Sequence, residues 1–155
     1  MKEARFQGSE GAVVYHRWDA IGEARGVVIL VHGYAEHGAR YAHVAARLNA
    51  QGFGVYAEDH LGHGRSDGER ALITDFEHIV DDLRSLADIG RGEYPDLPLI
   101  MAGHSMGGLL TARFAERYPD ELAGAAFMGA VLGDWPWART VLAEPEIPYK
   151  EPEYA

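Results

Sequence analysis

Residues 97–108, LPLIMAGHSMGG, decide the reading of the whole chain. Leu97 to Ala102 form a short apolar run bounded by turn residues, which predicts a strand, and Met106 to Tyr118 predict a helix stopped by Pro119. Between them, Gly103, His104, Ser105, Met106 and Gly107 match G-x-S-x-G at a strand-to-helix turn, the setting that turns the bare pattern into a nucleophile elbow. The glycines remove Cβ atoms where the chain bends too tightly for them, and the serine is forced into an exposed, strained position. The helix starting beneath it directs its N-terminal dipole at developing negative charge. With 19 glycines in 155 residues the pattern could arise by accident as a glycine-rich turn bearing a solvent serine. The strand and helix on either side favour Ser105 as a nucleophile, supported by Gly103, His104 and Gly107.

Outward from this turn the chain alternates. Val13 to Trp18 is rich in β-branched and aromatic residues and predicts an early antiparallel pair with the segment before it. Gly26 to Val31 is a continuous apolar run between glycines, the pattern of a strand buried on both faces. Arg40 to Ala50 spaces Tyr41, Val44, Ala45 and Leu48 as a helix does, with Gly52 as its stop, and residues 54–57 read as the next strand. Asp75 is a plausible cap for the longest helix, whose apolar positions Phe76, Ile79, Val80, Leu83, Leu86 and Ala87 fall at three- and four-residue steps and end near Gly90 to Pro95. Leu122 to Val131 read as a last strand. The β-α-β-α-β-α-β rhythm predicts an α/β fold: a mostly parallel sheet with helices on both faces and its ligands at the carboxyl ends of the strands.

Two polar loops follow those strand ends. The first, HGYAEHG at 32–38, lies beside the elbow in such an architecture, so that an N–H from it can join the N–H after the nucleophile to hold an oxyanion; we assign these donors to Tyr34 and Met106, with His32 and Gly33 as loop support. His32, Glu36 and His37 also invite a metal reading, but H-x-x-x-E-H is one residue longer than the inverted zinc motif and lacks its helix, so no metal and no cofactor is assigned. The second loop, EDHLGHGRSDG at 58–68, has the composition of a tight turn whose polar side chains bond its own backbone. For the base that must deprotonate Ser105, His104 is a sequence neighbour that a sharp turn directs elsewhere, His60 or His63 would have to reach across from another loop, and Asp134 is a candidate acid.

Bulk composition narrows the partners. Fourteen basic against 24 acidic residues leave a formal charge of −10 with no basic stripe, which excludes nucleic acid. There is no cysteine, hence no disulfide, thiolate zinc site or thiol nucleophile. The N-terminal residues build no apolar targeting segment, and the longest apolar run, Val27 to Val31, is far short of the ~20 residues a membrane span needs. A cytoplasmic protein without stable membrane insertion is the expectation.

HGYAEHGARY, DHLGHGRSDGER and GHSMGG, in this order and separation, resemble the monoacylglycerol lipase and lysophospholipase branch of the α/β-hydrolases. The likeness covers nearly all of residues 25–132. It implies Ser105 as nucleophile, the Tyr34 and Met106 amides as oxyanion hole, no cofactor, and a small-molecule carboxylic ester such as a monoacylglycerol as substrate. In that family the triad follows the order serine, acid, histidine, with the last two on loops after two further strands that are missing here. Residues 1–132 therefore read as the N-terminal part of such a domain, cut after about the sixth strand. Residues 133–155, irregular and proline-rich, read as the start of a lid. A last strand left as an unpaired edge favours association, with a complementing C-terminal half or in a homo-oligomer. The competing reading is a non-catalytic half-domain that binds such a chain, or lipid, through that edge.

Overall fold

The computed structural model describes residues 1–133 and, beyond them, 136, 139, 140 and 143. Asp134 and most of the segment read as the start of a lid lie outside the described residues. Along residues 1–133 the strands and α-helices follow one another as β1 (Lys2–Gln7), β2 (Ala12–Trp18), β3 (Gly26–Val31), α1 (Ala42–Asn49), β4 (Phe53–Glu58), α2 (Phe76–Glu93), β5 (Leu99–His104), α3 (Met106–Arg117) and β6 (Gly124–Met128). The strands form one sheet in the order β1-β2-β4-β3-β5-β6. β1 and β2 are antiparallel to each other, β2 runs antiparallel to β4, and β4, β3, β5 and β6 are parallel. This is the mostly parallel α/β sheet that the alternation predicts.

β3 sits at the centre and every one of its residues is buried. Val27, Ile29 and Val31 face one layer, where Val80, Leu83 and Leu86 of α2 and Leu110 and Phe114 of α3 pack against them. Val28 and Leu30 face the other, against Ala45 of α1, Trp18 and Val55. A strand with helices on both sides has no use for alternation, which is why GVVILV is apolar throughout. The stripe in α2 buries Ile79, Val80, Leu83, Leu86 and Ala87, and the Asp75 carboxylate accepts a hydrogen bond from the Glu77 N–H at 2.9 Å, capping the helix start as expected.

Element limits differ from the sequence expectation where pairing, rather than composition, decides them. The apolar run at 122–131 yields only the five residues of β6, because β5 matches Gly124–Met128 residue for residue against Ile100–His104 and, among the described residues, no strand lies on the far side. β5 in turn extends through Gly103 and His104, which β3 and β6 hold in register. The segment before α1 opens with a 3₁₀ turn at Gly38–Tyr41 before settling into α-helix.

Candidate active site

The carboxyl ends of β3, β4 and β5 bring three loops together. Ser105 sits at the junction of β5 and α3 with φ 54° and ψ −119°, a conformation that residues with a Cβ rarely adopt. Its surroundings enforce it. The Ser105 N–H donates to the Met128 carbonyl of β6 at 2.9 Å, and its carbonyl accepts from the Gly108 N–H at 2.9 Å. A Cβ at Gly107 would lie 2.1 Å from the Val31 carbonyl oxygen, and one at Gly103 would lie 2.0 Å from the Gly107 carbonyl oxygen. Neither position can carry a side chain, so both glycines are steric requirements of the turn. Among the described residues the Ser105 hydroxyl caps nothing and has no side-chain partner. The Met106 N–H opens α3, where helix geometry provides no intrahelical acceptor.

The loop after β3 lies directly against this turn: a Cβ at Gly33 would be 3.3 Å from the Ser105 Cβ and 3.4 Å from the His104 carbonyl oxygen. One carboxylate braces it. Glu36 Oε2 accepts from the Gly33 N–H at 3.2 Å and from the Tyr41 hydroxyl at 3.0 Å, and the His104 Nδ1 stands 4.0 Å away. Burial would raise the Glu36 pKa, but the Gly33 and Tyr41 hydrogen bonds and the nearby Arg40 and His104 outweigh it and hold it below its ordinary value. Ala35 takes a left-handed φ of 59° to close the bend, and the exposed Tyr34 ring donates its hydroxyl to the Ala71 carbonyl at 2.8 Å. His104 thus stands beside Glu36. Glu36 itself was missed as a support in the sequence, where only the return spacing from Gly33 hinted at a side chain folding back on its own backbone.

Two histidines, one from each loop, are stacked on each other. His32 and His60 lie ring on ring at 3.8 Å between centroids, both fully buried. His60 Nδ1 is 2.9 Å from Glu58 Oε1 and its Nε2 is 3.2 Å from the His32 carbonyl, while His63 Nδ1 is 3.0 Å from the Leu61 carbonyl. None of these rings hydrogen-bonds Ser105. Burial, reinforced by Asp82 and Asp59, pushes the Glu58 carboxyl well above its usual range, and burial with the neighbouring His32 pushes His60 well below its own. A neutral acid donating to a neutral imidazole satisfies both.

Asp59 is the opposite case. Burial would raise it, but hydrogen bonds from His16 and from the Arg65 and Gly38 N–H groups lower it, and the ionised carboxylate ties the 58–68 loop to β2 and to the start of the 3₁₀ turn. Ser66 accepts from the Val14 N–H at 2.8 Å and donates to the Asp59 carbonyl. The loop is a self-bonded structural turn, as its composition predicts. An apolar hollow of about 270 Å³, lined by Leu30, Tyr41, Val44 and Met128 with Glu36 and His104 among its walls, opens on the α1 side of the sheet.

Residues 22–145 match the family model described as serine aminopeptidase, S33. The chain is 46% identical over 131 residues to a monoacylglycerol lipase of Mycolicibacterium smegmatis, covering 84% of this chain and 47% of that one. It is 34% identical over 139 residues to the monoglyceride lipase of Homo sapiens, covering 89% and 43% respectively. Among solved structures it superposes on a thermostable carboxyl esterase from Bacillus coagulans with a TM-score of 0.82 at 32% identity, covering 91% of this chain and 47% of that one. A soluble variant of the monoglyceride lipase from Saccharomyces cerevisiae gives 0.76 at 25% identity, with coverage of 88% and 47%. The chain spans about half the length of the curated relatives it matches. No helix among the described residues is long and apolar enough to cross a membrane.

Proposed function

The chain belongs to the serine aminopeptidase S33 family of α/β-hydrolases, and from that premise we propose that it carries the nucleophile and oxyanion hole of a carboxylic ester hydrolase. Ser105 attacks the ester carbonyl, the Tyr34 and Met106 N–H groups receive the negative charge that develops on its oxygen, the alcohol leaves, and water cleaves the acyl-enzyme. The single observation that carries this reading is the backbone of Ser105: a strained φ of 54° held in place by two glycines that cannot be replaced, against a loop that touches its Cβ side. A monoacylglycerol or another ester of a small alcohol is the substrate, a reading supported by the likeness to the lipases and esterases above. The proton from Ser105 goes to a base, oriented by an acid, that we assign to polypeptide beyond the described residues, since none of the His32, His60 and His63 rings hydrogen-bonds Ser105.

A second reading is favoured by β6, an uncharged and exposed edge: the chain associates with a complementing half or with a second copy. The two readings are compatible and are tested apart. Incubation with a p-nitrophenyl ester and with a serine-directed fluorophosphonate is expected to give turnover and covalent labelling that both vanish in Ser105→Ala. Equal rates in the two proteins would end the catalytic reading and leave association as the remaining one.

A further inference from the structure

The N–H of Tyr34 belongs to the Gly33–Tyr34 peptide, so whatever fixes that peptide plane aims the donor. The described residues include no cis peptide, and in a trans peptide the C=O and the following N–H point in opposite directions. The Gly33 carbonyl is held: His32 Nδ1 lies 2.7 Å from it. A carbonyl oxygen only accepts, so this ring nitrogen carries the proton. The other nitrogen, His32 Nε2, lies 3.0 Å from the main-chain N of His60, whose N–H only donates, so Nε2 presents its lone pair. Two neighbours of opposite polarity leave His32 a single neutral tautomer. Behind it, the His60 ring stacks on His32 and returns its Nε2 toward the His32 carbonyl at 3.2 Å, while Glu58 holds His60 from the far side at 2.9 Å. His32, His60 and Glu58 are all shut off from solvent.

We propose that His32 is a positioning residue for acyl transfer at Ser105: its Nδ1–H pins the Gly33 carbonyl and thereby aims the Tyr34 N–H, with His60 and Glu58 locking the ring from behind. The inference rests on the role given to Tyr34 above. Protonation of Nε2 would set two donors against each other and release the ring. Burial, opposed by the Gly33 hydrogen bond, holds the His32 pKa down to about 4, so the working tautomer persists through the neutral range. If His32 only filled space between two loops, what would matter is the volume at this position and not where its donor sits.

Two amide substitutions separate these roles. Asparagine places its N–H close to where Nδ1 stands, and glutamine places its amide close to where Nε2 stands. In the 155-residue chain, His32→Gln is expected to slow fluorophosphonate labelling of Ser105 by about 100-fold, the scale of one misaimed oxyanion donor, while His32→Asn stays within about tenfold of wild type. Nitrogen-15 NMR of the wild-type ring is expected to show protonated Nδ1 and unprotonated Nε2 at pH 7. Equal slowing in both variants, or a wild-type ring protonated at Nε2, overturns the inference. Should neither variant fold, the wild-type ring tautomer decides. Should wild-type Ser105 fail to label, the ester hydrolase reading falls and the positioning claim is decided by the Tyr34 amide resonance: displacement by His32→Gln and not by His32→Asn supports it, and equal displacement by both overturns it.

Discussion

β5 and β6 lie side by side in the same parallel register, from Ile100 opposite Gly124 to His104 opposite Met128, yet they belong to different physical worlds. β5 has a strand on each side, and its Leu99 and Met101 are 3% and 0% exposed. Among the described residues β6 has a strand on one side only, and its Phe127 and Met128 are 48% and 43% exposed although both are large and apolar. Hydrogen-bonded pairing therefore does not bury a side chain; a strand enters the core when both its edges are paired and its faces are covered. The far edge of the sheet shows the contrast again. β1 reads KEARFQ, with Lys2 and Glu3 engaged by Asp19 and Arg65 at 2.8 Å, the charged edge that discourages further pairing, whereas β6 reads GAAFM and carries no charge. Among the described residues, one edge strand of this sheet is charged and ion-paired and the other is uncharged and exposed.

The sharpest way to break that contrast is to make the same substitution on both sides of it. Gly103→Ala in β5 drives a Cβ into the Gly107 carbonyl and should cost about 4 kcal/mol of unfolding free energy or prevent folding altogether. Gly124→Ala in β6 meets nothing within 4 Å and should leave the urea midpoint almost unchanged. Next in size, Met101→Ala empties a fully buried site and should cost about 3 kcal/mol, while the half-exposed Phe127 should lose less than about 1 kcal/mol on truncation to alanine. Comparable losses at 101 and 127 would show that β6 is buried in solution by something these strands do not supply.

Acidity acts on the buried Glu58, His60 and His32 and has no titratable side chain to act on in β6. Glu58 keeps its proton when folded and loses it when unfolded, so its contribution is present at low pH and is lost as pH rises above the ordinary carboxyl range, by up to about 1.4 kcal/mol per pH unit. His32 and His60 are neutral when folded, so the unfolded chain binds more protons below about pH 6.5 and stability falls as pH drops through that range. Stability should therefore peak near pH 6 to 7, the crossing of these opposed slopes. Glu58→Gln should remove most of the alkaline decline in denaturation midpoint while leaving the acid side in place; an unaltered alkaline limb would mean that Glu58 is ionised in the fold. The smallest effect on folding is reserved for the edge. Phe127→Lys should change the unfolding free energy by no more than about 0.5 kcal/mol, yet weaken any self-association seen in sedimentation velocity at least tenfold. A monomer at all concentrations in the wild type would remove the case for a second copy at β6.

The readable parts of the chain are those where local pattern and tertiary role coincide. GVVILV is apolar throughout because both its faces are covered; Asp75 and the stripe after it mark α2 because capping and helical spacing are local; G-x-S-x-G between strand and helix marks the tight turn because only glycine fits at 103 and 107. The ends of β6 were not legible, since apolar residues on both sides of it read as strand while only five have a partner to pair with. Glu36, and the order Glu58, His60, His32, were not legible as supports either, because Gly33, His60 and the elbow approach one another only when β3, β4 and β5 are set side by side.

Periodicity and the G-x-S-x-G motif thus determined that this chain builds a mostly parallel α/β sheet with a strained serine at one strand end, because each of those features is written within a few consecutive residues. Only the tertiary structure decided which histidines are locked, which tautomer His32 adopts, and which of the described strands stand at the sheet's edges. Those outcomes depend on donors, acceptors and neighbours that arrive from strands distant in sequence, and no local pattern encodes who will be standing opposite.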